Sequence, residues 1–255
     1  NGSANLFLIN PNGIVFGENA KLDIGGSFVG STADSFQFSD DVEFSAVNPD
    51  TQPLLSVNVP LGLQYGKNPG NIQVRGDGQE RRILLGIADT PTGLTVEPDK
   101  TLALIGGDID LEGATLKTTG ARIELGSVAS AGLVKLIPQE KGFTFNYDSV
   151  DQGSIKLSEQ AVVDASEGIA VNARDVQLIG NRSRFSTSTQ PNSTADGGDL
   201  AIKTNTLLVE DGAKIYTITL GKGKGGNLTV DAQEVQLNGN LSNLFASSQR
   251  DSTGE

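Results

Sequence analysis

Asp108 and Asp110 flank Ile109 in the run Asp108-Ile109-Asp110-Leu111. On a strand both carboxylates face one side, and Ile109 and Leu111 face the other. Arg122-Ile123-Glu124-Leu125 repeats the arrangement a short distance on. Carboxylates beside a guanidinium on an outer strand face have the parts to bind Ca²⁺ and to abstract a proton from a sugar, as a polysaccharide lyase or hydrolase requires. A solvated face with ordinary ion pairs uses the same residues. With 31 Asp+Glu against 19 Lys+Arg, such faces are common in this chain. The plainer reading outweighs the catalytic one, so no catalytic residue is assigned and the chain is read as a non-enzyme.

Three other groups invite chemistry. Phe143, Phe145 and Tyr147 alternate and so share one strand face. Exposed, they would form a platform for stacking sugars; buried under a flap, they are a satellite core, and the core reading has more weight. Arg75-Gly76-Asp77 is an integrin-type tripeptide in a turn-prone stretch, although three common loop residues coincide easily in a chain with 32 Gly. Gly221-Lys222-Gly223-Lys224-Gly225-Gly226 resembles a phosphate loop only on the surface, because no Lys-Ser/Thr ending and no helix follow it. The Asn-x-Ser/Thr triplets, such as Asn192-Ser193-Thr194, follow from composition.

Composition removes whole classes of function. The chain of 255 residues has no His and no Cys, so it builds no Ser-His-Asp triad, no thiol nucleophile and no His/Cys zinc site. No metal and no cofactor is expected. A formal charge of −12 repels a phosphate backbone, which argues against nucleic acid as a partner. No apolar run approaches the roughly 18 residues that suggest a membrane helix.

Positioning such residues requires strands, because no long segment carries a helical stripe. Short alternating runs dominate, among them Ile109-Asp110-Leu111, Ile123-Glu124-Leu125, Ile155-Lys156-Leu157 and Val176-Gln177-Leu178, separated by Gly, Asn, Asp and Ser. Internal repetition is clearest near the C-terminus. Ile169, Leu200 and Leu228 each begin an apolar pair, a second pair starts seven residues later at Val176, Leu207 and Val235, and a third apolar site follows at Phe185, Ile215 and Leu244. Units of three short strands that recur after 31 and 28 residues predict an all-β solenoid, a single-stranded parallel β-helix, in preference to a β-sandwich. The periodicity predicts one continuous domain over 1–255, with regular coils over 94–255. Two stretches depart from it: residues 53–74 read as a hairpin of Leu61–Tyr65 and Ile72–Val74, and residues 138–150 as a longer excursion outside the helix.

The stretch Asn5-Leu6-Phe7-Leu8-Ile9-Asn10-Pro11-Asn12-Gly13-Ile14-Val15-Phe16-Gly17 resembles the secretion domain of filamentous-haemagglutinin-like exoproteins of two-partner secretion systems, and the Gly-Gly-Asn-Leu repeats resemble cyanobacterial members. Asn10, Pro11, Asn12, Gly13 and Ile14 match one hallmark of that domain. The other, an upstream Asn-Pro-Asn-Leu, is not in this sequence, as a chain cut at its N-terminus would lack it. The resemblance implies a right-handed helix, with residues 1–93 as the remainder of the secretion domain. It also implies export through an outer-membrane transporter whose periplasmic domains read the unfolded motif. A secreted, surface-associated adhesin rod that contacts glycans or neighbouring cells is the expected setting. Chemically the motif is a corner: Pro11 sets φ, the Asn side chains bond nearby backbone, and Gly13 accepts positive φ.

Overall fold

The computed structural model describes residues 2–39, 42–48, 59–78, 83–84, 87–88, 93–191 and 193–248. No α-helix forms among them. The chain winds as a parallel β-helix of three faces. Its first coil contains β1 (Leu6–Ile9) and β2 (Ile14–Phe16). The second begins with β3 (Phe28–Ser31), leaves the helix through β4 (Ser35–Gln37), β5 (Glu43–Ser45) and β6 (Gly62–Tyr65), and returns as β7 (Ile72–Arg75). A short antiparallel pair, β8 (Ile83–Leu84) and β9 (Ile87–Ala88), follows. The third coil is uninterrupted: β10 (Thr101–Gly106), β11 (Ile109–Glu112) and β12 (Thr115–Thr118). The fourth runs from β13 (Arg122–Ser127) out through β14 (Gly132–Pro138) and β15 (Phe143–Asn146), then back through β16 (Ser154–Ser158) and β17 (Val162–Ala165). Regular coils follow: β18 (Gly168–Asn172), β19 (Asp175–Ile179) and β20 (Arg184–Thr189); β21 (Asp199–Glu210) and β22 (Lys214–Thr219); β23 (Leu228–Asn238) and β24 (Asn243–Ser248).

Each strand pairs in parallel with its counterpart in the coils before and after, so like residues stack at the ~4.8 Å strand spacing. On the first face Phe28, Leu102, Ile123, Ile169, Leu200 and Leu228 form one inward ladder. On the second, Ile14, Ile72, Ile109, Ile155, Val176, Leu207 and Val235 form another. The third face stacks Leu94, Leu116, Val163, Phe185, Ile215 and Leu244. The repeat alignment of Ile169 with Leu200 and of Val176 with Leu207 is therefore the physical register of the strands. The long strands β21 and β23 pass the corner between the first two faces unbroken and join those faces into one 12-stranded sheet.

The hairpin expected over residues 53–74 does not form. Residues 53–58 lie outside the described residues; Gly62–Tyr65 and Ile72–Arg75 do not pair with each other. Ile72 and Val74 fill positions in the second-face ladders and are buried, which holds β7 in the helix. β6 instead pairs antiparallel with β4 and with β14. The excursion around residues 138–150 does lie outside the helix, but it starts earlier, at Gly132, and joins the first excursion in one sheet of order β15-β14-β6-β4-β5. Both insertions leave at the corner after the first face. Their shared sheet covers that face, and Val29, Ala103 and Ile105 from the helix are buried against Phe36, Leu63, Tyr65, Val134, Leu136 and Phe143.

Two-sided burial explains the weak alternation of Thr101–Gly106, every residue of which is buried. Leu111 is fully buried at mid-stack and Leu237 is half-exposed on the last coil. Leu111→Ala is expected to cost about 2–5 kcal/mol, and Leu237→Ala less than about 1 kcal/mol, in urea unfolding followed by circular dichroism. Equal costs would contradict a mid-stack core.

Candidate functional site

The segment Asn10–Ile14 is the corner between β1 and β2. The Asn10 amide donates to the Ser31 carbonyl at 3.0 Å, tying the corner's entry to the next coil. The Asn10 carbonyl accepts the Gly13 amide at 3.1 Å, closing a turn, and the Asn10 Oδ1 accepts the Asn12 amide at 3.2 Å. Gly13 has φ +116°, in the region that glycine tolerates best. Ile14 then enters the core, 8% exposed, while its amide donates to the Asn71 carbonyl at 3.0 Å.

The partner of this corner is a second one of the same kind. Asn68-Pro69-Gly70-Asn71-Ile72 lies one coil along, and the Gly70 amide donates to the Pro11 carbonyl at 3.0 Å. A methyl group at Gly70 would meet the Gly13 nitrogen at 2.4 Å, so only glycine fits between the stacked turns. The ladder continues. Gly107 donates to the Gly70 carbonyl, the Asn71 Oδ1 accepts the Asp108 amide at 3.0 Å, and the Asp108 Oδ1 accepts the Ser154 amide at 2.8 Å. Gly70-Asn71-Ile72, Gly107-Asp108-Ile109 and Gly153-Ser154-Ile155 are thus one motif: a glycine that allows close approach, a polar residue, and an isoleucine that enters the core.

A family model for the TPS secretion domain matches residues 1–178, which include this corner and the coils stacked on it. The chain belongs to the TPS secretion domain family. It is a two-partner secretion exoprotein, a secreted protein that works with a two-partner outer-membrane transporter. No curated protein matches it in sequence, and no solved structure matches it.

The other candidate residues of this TPS domain are dispersed. Asp108 is occupied as a corner acceptor, and Asp110 lies half-buried between its register partners Gln73 and Lys156. Arg122 and Glu124 lie on a different face, in the next coil. The expected solvated position of Glu124 is corrected: its side chain is 2% exposed, beneath the outer sheet, where it accepts from the Arg122 Nε. Among the described residues no three His, Cys, Asp or Glu are grouped to hold a metal ion.

Arg75 and Asp77 are exposed, but the tripeptide does not project as a loop. The Gly76 amide donates to the Glu112 carbonyl at 2.8 Å, and a methyl group there would meet the Gly113 oxygen at 2.1 Å. Of the two readings of Phe143, Phe145 and Tyr147, the rings follow the weightier one, the satellite core, and form no exposed platform. Phe143 is 4% and Tyr147 7% exposed within the satellite core, because the flap that carries them packs down on the first face; Phe145 is half-buried.

Two features of these regions were missed by reasoning from sequence. The sister corner was read as a hairpin turn, although its Asn-Pro pair precedes an Ile at the same offset as in Asn10–Ile14. The buried position of Glu124 left no local signal, because the sheet above it comes from distant segments. Gly70→Ala is expected to cost about 1–3 kcal/mol. Asn12→Ala, which removes a side chain with no recorded bond, is expected to stay within about 0.5 kcal/mol in the same urea titration. A silent Gly70→Ala would show that the stacked corners are not closely packed.

Proposed function

We propose that the exoprotein presents Asn10–Ile14 to the periplasmic domains of its transporter while still unfolded, and then uses the same residues as a corner of a surface-displayed adhesin rod. The observation that carries this reading is that the folded corner commits its amides and its isoleucine to the stack. Asn10, Gly13 and Ile14 donate their amides within the turn or to the next coil, the Pro11 carbonyl is taken by Gly70, and the Ile14 side chain is buried. A receptor that reads this segment as an extended strand must meet it before the coil closes. A chain without Cys suits passage through a pore, since no disulfide can lock a loop on the way.

The sister corner provides the control. In cells carrying the transporter, Asn10→Ala with Pro11→Ala is expected to reduce the exported protein at least tenfold. Asn68→Ala with Pro69→Ala is expected to leave export within about twofold at a comparable loss of stability. Equal losses would reduce the motif to corner chemistry.

A second reading, adhesion to glycans, has one observation in its favour. Phe145 walls a surface cleft of about 730 Å³ lined with Asn146, Gln152, Asn172, Arg174 and Lys203, where the outer sheet ends and the bare coils begin. Amide side chains beside an aromatic ring suit a pyranose. On a panel of neutral and acidic polysaccharides, binding that Phe145→Ala weakens at least tenfold, with no shortening of the polymer, is the expected result. Shortening would point to an enzyme instead.

A further inference from the structure

The outer sheet is assembled from two insertions, β4–β6 of the second coil and β14–β15 of the fourth, so it is a separate layer laid on a finished helix face. Its contact with that face is largely apolar, with hydrogen bonds from Tyr65 to the Ile105 carbonyl and between the Thr101 hydroxyl and the Phe143 backbone, and with one buried carboxyl. Glu124 points outward from β13 into the interface, between its register partners Ala103 and Ala170, neither of which offers a hydrogen bond from its side chain. Its one recorded partner is Arg122, two residues back on the same strand and one-third exposed at the edge of the layer.

From the sheet above, Tyr147 descends beside Glu124, and its ring packs so closely on Gly126 that a methyl group there would meet the hydroxyl oxygen at 2.1 Å. That hydroxyl is buried and makes no hydrogen bond among the described residues. Tyr65, the other phenol in the layer, is held by Ser31 at 2.9 Å and the Ile105 carbonyl at 2.8 Å. Burial pushes both phenols well above their ordinary range, so neither carries charge near neutral pH. A second charged contact is at the hairpin tip, where Lys141 bridges Asp99 at 2.7 Å and Glu167 at 2.9 Å; these groups are solvated and sensitive to salt.

We propose that Glu124 is a pH-sensitive clasp between the helix and the β14–β15 flap: with the carboxyl neutral the flap seats, and with the carboxyl charged the flap loosens. A carboxylate in this layer has exchanged water for two alanines and a phenol, and Arg122 offsets only part of that loss. Burial raises the carboxyl from 4.5 to about 7, against the lowering effect of Arg122. Lifting the flap returns it to water and to its ordinary range. Between those limits opening releases a proton, so acid favours the closed layer, and the advantage is lost as pH rises through about 7. The Lys141 bridge follows ionic strength instead. The device is therefore distinct from motif recognition and does not rest on it.

Amide hydrogen exchange of the full chain tests the clasp. With intrinsic rates corrected, protection of residues 133–147 is expected to fall at least tenfold between pH 5 and 8, while peptides within 169–178 hold constant. In Glu124→Gln, which keeps an acceptor for Arg122, the fall is expected to shrink below about twofold. Arg122→Met, which removes the offsetting charge, is expected to deepen it and move its midpoint upward. A flat wild-type profile, an undiminished fall in Glu124→Gln, or an equal fall in the 169–178 peptides would each overturn the proposal. If Glu124→Gln does not fold, an unchanged profile in Arg122→Met overturns it as well.

Discussion

Parallel stacking in register is the constraint on which the rest of this molecule depends. A short strand in any one coil buries almost nothing by itself; its backbone groups and its inward side chains are satisfied by the coils on either side. Once Ile72 stands between Ile14 and Ile109, the corner that precedes it must stack as well, and corners stack only if their backbones approach within one strand spacing. This is why glycine recurs at Gly70, Gly107 and Gly153, and why Asn71 and Asp108 turn their side chains along the helix axis to accept an amide from the following coil. Residues that look like chemistry in isolation are, in the stack, the fastenings of successive turns.

The same constraint bears on the secretion motif. Asn10–Ile14 stacks on its sister corner one coil later, and the bond from the Ile14 amide to the Asn71 carbonyl is repeated there from the Ile72 amide to the Asp108 carbonyl. Under the proposed reading, recognition before folding and corner closure afterwards serve two stages of one process without conflict, because the two states never coexist.

The outer sheet adds a second layer with different rules. Its strands are antiparallel and are drawn from insertions far apart in sequence, and they bury the outward side of the first face. That leaves one helix face dry on both sides and encloses a carboxyl that would otherwise be solvated. The Ile105 carbonyl, Ser31 and Tyr65 satisfy one another across the layer, whereas Glu124 has Arg122 alone and the Tyr147 hydroxyl has no recorded partner. The difference between these two polar spots makes one a fixed joint and the other a responsive one.

Much of the helix was legible in the chain itself. The seven-residue offset from Ile169 to Val176, repeated from Leu200 to Leu207, is the distance from one inward ladder to the next around a corner, so spacing alone determined the solenoid and the register of its regular coils. The turn at Asn10–Ile14 was legible because a turn is a local object whose chemistry lies in adjacent residues. Tertiary structure alone decided what covers what. Whether Phe143 and Tyr147 face water, whether Ile72 pairs with its neighbour Tyr65 or with the coil below, and whether Glu124 is solvated all depend on strands brought together from distant parts of the chain. Burial is a property of the assembled layers, and local spacing carries no record of it.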